Sequence, residues 1–209
     1  MSLLDELRAL AEHSLRGRPP AHDFSHVVRV AALAETLARA EGADVETVVV
    51  ASLLHEQVNL PKDHASSIRS GDLCAEAVEE ALAARGVRAD LVARVAGCIR
   101  EHSFSKGARP TTLEAAVVQD ADRLDAIGAV GIARLFATST EMGVPFFSPD
   151  DPLCRRRTPD DRRWGVDHFH RKLLRIPGAL HTPSARRLAV RREATMRAFL
   201  EALGEELGA

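Results

Sequence analysis

Cysteine is scarce in this chain: Cys74, Cys98 and Cys154 are widely spaced and odd in number. They form neither a CxxC pair nor a disulfide framework, so reduced thiols and a cytoplasmic setting are expected, with packing roles for the first two. Long apolar runs are missing as well. No stretch approaches the roughly 20 residues that a membrane span needs. The opening Met1-Ser2-Leu3-Leu4-Asp5-Glu6 lacks a basic segment followed by an apolar one, so no signal peptide is expected. Lysine is nearly absent, with Lys62, Lys106 and Lys172 alone, and arginine supplies the rest of the basic charge. The well-mixed charges sum to −2, which argues against a nucleic-acid or anionic-membrane partner.

What is present is helical patterning. The 209 residues can bury a sizeable core. Leu3, Leu4, Leu7 and Leu10 recur at helical spacing over residues 2–14, and Arg18-Pro19-Pro20 breaks that helix. A second helix is predicted from Phe24 to Glu41, stopping at Gly42. Asp44 is suited to cap a third, from Val45 to about Glu56. Its Val48-Val49-Val50 run would also suit a strand, but Ala and Leu on both sides favour a buried helix. Helices fit 71–85 and 88–102. Thr111 and Glu114 form a capping-box pattern that opens the next, which carries Gln119 to Ile127. Gly128 starts another, through about Met142. Residues 143–158 are proline-rich and loop-like, a candidate flap. Thr158-Pro159 and Thr182-Pro183 each place an N-cap residue before a proline, and so predict the last two helices. No internal repeat or convincing boundary interrupts the chain. The expectation is one all-α domain over 1–209, with a core of about 20–130 and C-terminal helices over about 158–207.

Four polar positions interrupt apolar helices. His26 precedes Val27-Val28, His55-Glu56 ends the most apolar helix, and Asp122 lies in a helix apolar on nearly every side. Carboxylates are almost never fully buried without a partner, and an isolated one is costly. A divalent metal resolves that cost, and mixed imidazole and carboxylate donors suit Mn, Fe, Zn, Ni or Co, with Mg as a further option. The competing reading is a set of salt bridges, with Asp122 paired to Arg123 or Arg134 and His26 a satisfied core histidine. The four residues together favour the metal.

His26-Val-Val-Arg29-Val30, Leu53-Leu54-His55-Glu56, Glu101-His102-Ser103-Phe104 and the run Gln119-Asp120-Ala121-Asp122-Arg123-Leu124-Asp125-Ala126-Ile127-Gly128 resemble the HD superfamily of metal-dependent phosphohydrolases, in its stand-alone bacterial branch. Asp167-His168-Phe169 with Lys172-Leu173-Leu174 is similar to that branch as well. The resemblance implies an HD-type helical bundle in which His26, His55, Glu56 and Asp122 are the metal ligands, with Glu56 standing where the motif has aspartate. It implies hydrolysis of a phosphate ester or pyrophosphate bond, with a nucleotide as the small-molecule substrate. A bound divalent ion lowers the pKa of its water and polarises a phosphoryl oxygen, while basic side chains neutralise phosphate charge. The alternative is a degenerate HD domain that binds a nucleotide or metal without robust catalysis, and Glu56 is the residue that suggests it. A helical interaction protein without metal is disfavoured by the buried histidines and acids. A homodimer is left open.

Lys62 and Arg69, in the loop after His55-Glu56, are candidate phosphate contacts or solvated charges. Asp125, three residues after Asp122 on the same helical face, is a candidate to orient water or hold Arg123. His102 is a candidate substrate or ligand-supporting contact, or a histidine favoured by a helix C-terminus. His22 and Asp23 flank the first ligand and could shape the pocket rim. Arg155-Arg156-Arg157 reads as solvated loop charge, Trp164 and Phe169 as packing anchors, and His168 and His170 as lacking carboxylate partners at a ligand spacing.

Overall fold

The computed structural model describes residues 2–19, 21–58, 60, 69–102 and 109–209. Lys62, expected near the phosphate, lies outside them, as do Ser103 and Phe104. The described residues are all-α: nine helices and two short 3-10 turns, with no strand among them. No helix is long and apolar enough to cross a membrane. The chain divides into two compact units, Met1–Arg18 with His22–Asp122, and Pro19–Ala21 with Arg123–Ala209.

In the first unit, α1 (Leu3–Ser14) is opened by Ser2, whose side chain and that of Asp5 cap each other's backbone N–H groups. Helix α2 (Phe24–Glu41) starts where the Asp23 carboxylate accepts from His26 N and stops at left-handed Gly42. The Asp44 carboxylate accepts from Thr47 N at 2.7 Å to open α3 (Val45–Leu54). Its valines are therefore helical. Helix α3 is buried on nearly every side because α1, α2 and α5 (Ala89–Glu101) pack around it, while α4 (Ser70–Ala83) pairs with α5. The core joins Leu7, Val27, Leu37, Leu54, Leu82 and Ile99. Helix α6 (Leu113–Asp125) crosses the boundary between the units. Its N-terminus corrects the expected capping box by one residue. Thr112 Oγ1, not Thr111, accepts from Ala115 N. Glu101 takes both the N–H and the hydroxyl of Thr111, and the Glu114 carboxylate accepts from Asp44 N. Long-range partners outcompete the local box for both side chains.

In the second unit, α7 (Gly128–Glu141) packs on the long α9 (Pro183–Leu207). Thr182 caps α9 as its sequence predicts. Thr158-Pro159 does not open a helix, because the following turn winds around a buried carboxylate. Asp167 accepts from Asp160 N at 2.6 Å and holds the Arg157 guanidinium through both oxygens. The short α8 (Asp167–Arg171) begins only there. Arg157 is thus no solvated charge, although Arg155 and Arg156 are exposed. The Asp151 carboxylate gathers the backbone N–H groups of all three arginines. Phe169 is fully buried, as expected, and stacks on Phe199 at 5.8 Å between ring centroids. Trp164 is half-buried beneath the Arg163 guanidinium.

Candidate metal centre

Helices α2 and α6 and the end of α3 deliver the polar residues singled out in the sequence. The Asp23 cap fixes the first turn of α2 and so places fully buried His26 on its third residue. His55 is the C-cap of α3 and is 1 % exposed. The Cys74 thiol, from α4, donates toward the carbonyls of Leu54 and His55 at 3.4 and 3.2 Å, taking up acceptors that the end of a helix leaves without an intrahelical donor. Burial pushes the Cys74 thiol up to about 11, so it remains a donor. Asp122, on α6, is partly exposed.

His26, His55 and Asp122 converge. Asp122 Oδ1 lies 3.5 Å from His26 Nε2 and 3.9 Å from His55 Nε2, and one ligand atom from each of the three falls within 4.8 Å of the others. Two donors on one ion, each about 2.0–2.2 Å from it, sit about 3–4 Å apart, so the spacing fits a shared ion. The tautomer of His55 supports the same reading. Its Nδ1 lies 2.7 Å from Ser52 O, and a carbonyl oxygen can only accept, so Nδ1 carries the proton. The lone pair is then on Nε2, which is buried and makes no hydrogen bond among the described residues. A backbone carbonyl on one imidazole nitrogen is the usual brace for a metal on the other.

Glu56 belongs to a second, overlapping group. His22, His26 and Glu56 also bring one ligand atom each within 4.8 Å of one another. His22 Nδ1 donates to Glu56 Oε1 at 3.1 Å, and the Glu56 side chain is 9 % exposed. Burial acts to raise the Glu56 carboxyl. The hydrogen bond from His22 and the neighbouring imidazoles outweigh that effect and hold it well below the carboxylate range. His102 completes a row of four imidazoles. Successive ring centroids from His22 through His26 and His55 to His102 are 5.8, 5.3 and 5.2 Å apart, each pair edge-on. His102 Nδ1 lies 2.6 Å from Ile99 O, the same three-residue brace that His55 has. Burial, and then the neighbouring His55, depress its pKa.

The remaining sequence candidates are outside these two ligand groups. Arg69 is exposed at the N-cap of α4. Asp125 is buried and accepts from Arg134 at 2.8 Å, so Arg134 pairs with Asp125 and not, as one sequence reading had it, with Asp122. Arg29, one helical turn after His26 and so a candidate to face the pocket, donates to Ser25 at 2.9 Å. His168 meets one carboxylate, Asp161, at 2.8 Å, and neither it nor His170 joins a ligand group among the described residues. His22 is the residue that the sequence undervalued. Its position four residues before His26 was the available signal, but it lies outside α2, ahead of Asp23, where helical spacing gives no firm direction.

The HD-domain family model matches residues 23–127, a span that contains His26, His55, Glu56 and Asp122. The uncharacterised protein YpgQ of Bacillus subtilis (strain 168) is 33 % identical over 209 residues, 97 % of this chain and 93 % of that one. The crystal structure of YpgQ in complex with ADP superposes with a TM-score of 0.76 at 32 % identity, covering 97 % of both chains. An HD-superfamily hydrolase from Bacillus thuringiensis gives a TM-score of 0.75 at 28 % identity, covering 99 % of this chain and 97 % of that one. With the helical fold, the His26, His55 and Asp122 convergence and these relatives together, the chain belongs to the HD-domain family and has the fold of the HD-superfamily hydrolases.

Proposed function

We propose that this protein is a metal-dependent phosphohydrolase that cleaves a phosphate ester or pyrophosphate bond of a nucleotide, with one divalent transition metal held by His26, His55 and Asp122 and with Glu56 beside His26. The observation that carries the reading is the buried Nε2 of His55, 3.9 Å from Asp122 Oδ1 and without a hydrogen-bond partner among the described residues, with Nδ1 already committed to Ser52 O. When bound, such an ion supplies a hydroxide-like water at neutral pH and a Lewis acid for a phosphoryl oxygen. The chain's own residues set the rest. Ser52 O holds the His55 ring and its tautomer, Asp23 holds His26 by its backbone, and Ile99 O orients His102 toward the same row. His102, kept neutral by its depressed pKa and braced at Nδ1 by Ile99 O, is suited to accept a hydrogen bond at Nε2 beside His55. Arg69, exposed after the His55-Glu56 turn, and Lys62 are the cations suited to a phosphate. The ADP complex of the 32 % identical YpgQ favours a nucleoside phosphate over other esters.

The test is a panel of nucleoside mono-, di- and triphosphates assayed on metal-stripped protein with Mn, Co, Ni, Zn or Mg restored singly. Phosphate or pyrophosphate release that needs the ion and is lost in His55→Ala is the expected result. Release that survives both chelation and His55→Ala would refute the proposal.

A further inference from the structure

Glu56 departs from the family's His-Asp pair by one methylene, and the structure gives that methylene a destination. Its carboxylate meets His22 at 3.1 Å, whereas the group that brings it near a ligand set contains His22 and His26 but neither His55 nor Asp122. His26 is common to the two groups, and Glu56 joins it on the His22 side. We infer that His22 is a positioning residue of the metal centre: its Nδ1–H anchors the longer Glu56 carboxylate, so that a glutamate can serve beside His26 where the family motif has an aspartate. This rests on the proposed metal site.

Reach decides the point. Aspartate is shorter by one carbon–carbon bond, about 1.5 Å, which would open the 3.1 Å contact to as much as about 4.6 Å. That is beyond hydrogen-bond range. The His22 interaction is therefore available to glutamate and not to aspartate. His22 is also well placed to act without supporting the fold. Its side chain is 42 % exposed, and it lies ahead of Asp23, whose carboxylate caps α2 independently. Partners that hold metal ligands from behind typically contribute 10- to 100-fold in affinity.

The test compares wild type, His22→Ala, Glu56→Asp and the double variant, with Mn(II) affinity measured by chelator competition and the visible spectrum of the Co(II)-loaded protein as a second readout. His22→Ala is expected to weaken Mn(II) binding about 10-fold and to shift the Co(II) bands when Glu56 is present. In the Glu56→Asp background, the same change should alter affinity less than about 2-fold, because the contact is already out of range. His22→Asn, whose side-chain N–H stands near the place of Nδ1, should recover most of the affinity. Equal losses in the two backgrounds, or no loss with Glu56 present, would overturn the inference alone. A wild-type chain that takes up no ion would overturn the proposed metal site with it.

Discussion

Asp125 was marked by the sequence for its spacing from Asp122, and the structure gives it a partner whose loss should be costly. Arg134 Nη1 donates to Asp125 Oδ2 at 2.8 Å, with the side chains only 15 % and 5 % exposed. Burial lowers the Arg192 pKa and the Asp125 charge opposes that shift, so this one carboxylate serves two arginines. At an effective dielectric constant of about 20, the gross attraction across that contact is about 6 kcal/mol, most of it offset by desolvation. Removing one member of such a pair strands the other charge, which typically costs about 3–5 kcal/mol. Asp125→Asn keeps the shape and one acceptor oxygen, so about 3 kcal/mol is expected. Arg134→Met should cost less, because it leaves only a carboxylate still facing Arg192. The double variant should fall short of the sum by about 2 kcal/mol, as expected for residues in direct contact. Urea unfolding of the four proteins, followed by helical circular dichroism, measures this. A loss below about 1 kcal/mol for Asp125→Asn, or strict additivity, would refute the buried-pair reading.

Gly131→Ala should destabilise by about 3 kcal/mol, the upper end for overpacking, because a β-carbon there would lie 2.2 Å from Ala126 O. Thermal unfolding at unchanged Tm would contradict this. Burial pushes the Cys98 thiol from 9.0 up to about 12. The unfolded chain therefore releases this proton first, and stability is retained below pH 9 and lost as pH rises from about 9 toward 12. The urea midpoint should fall more steeply above pH 9 in wild type than in Cys98→Ala, and parallel slopes would refute it. Asp167→Ala, which strands the Arg157 guanidinium and leaves Asp160 N without its acceptor, should cost about 3–5 kcal/mol in the same unfolding assay. A change under about 1 kcal/mol would show that the loop does not depend on this carboxylate.

Much of the fold was legible because its signals are local. The end of α2 follows from Gly42, and the start of α9 from Thr182-Pro183. Apolarity on every side of α3 announced a buried helix, and the polar residues at its end announced the site. The failures share a cause. Thr111, Glu114 and the Thr158-Pro159 pair each carry a sound local signal, but carboxylates or backbone groups distant in sequence claim the atoms that local capping would use. The destination of Glu56 was invisible for the same reason. Its partner His22 lies 34 residues earlier, and only the packing of α2 beside α3 brings them together.

The most direct measurement is an anomalous-difference map from crystals of this protein grown with Mn(II). The expected result is one peak within about 2.3 Å of His26 Nε2, His55 Nε2 and the Asp122 carboxylate, a distance set by ordinary metal–ligand bonds. A map with no peak among these three atoms, under conditions where Mn(II) saturates the crystal, would contradict the metal centre.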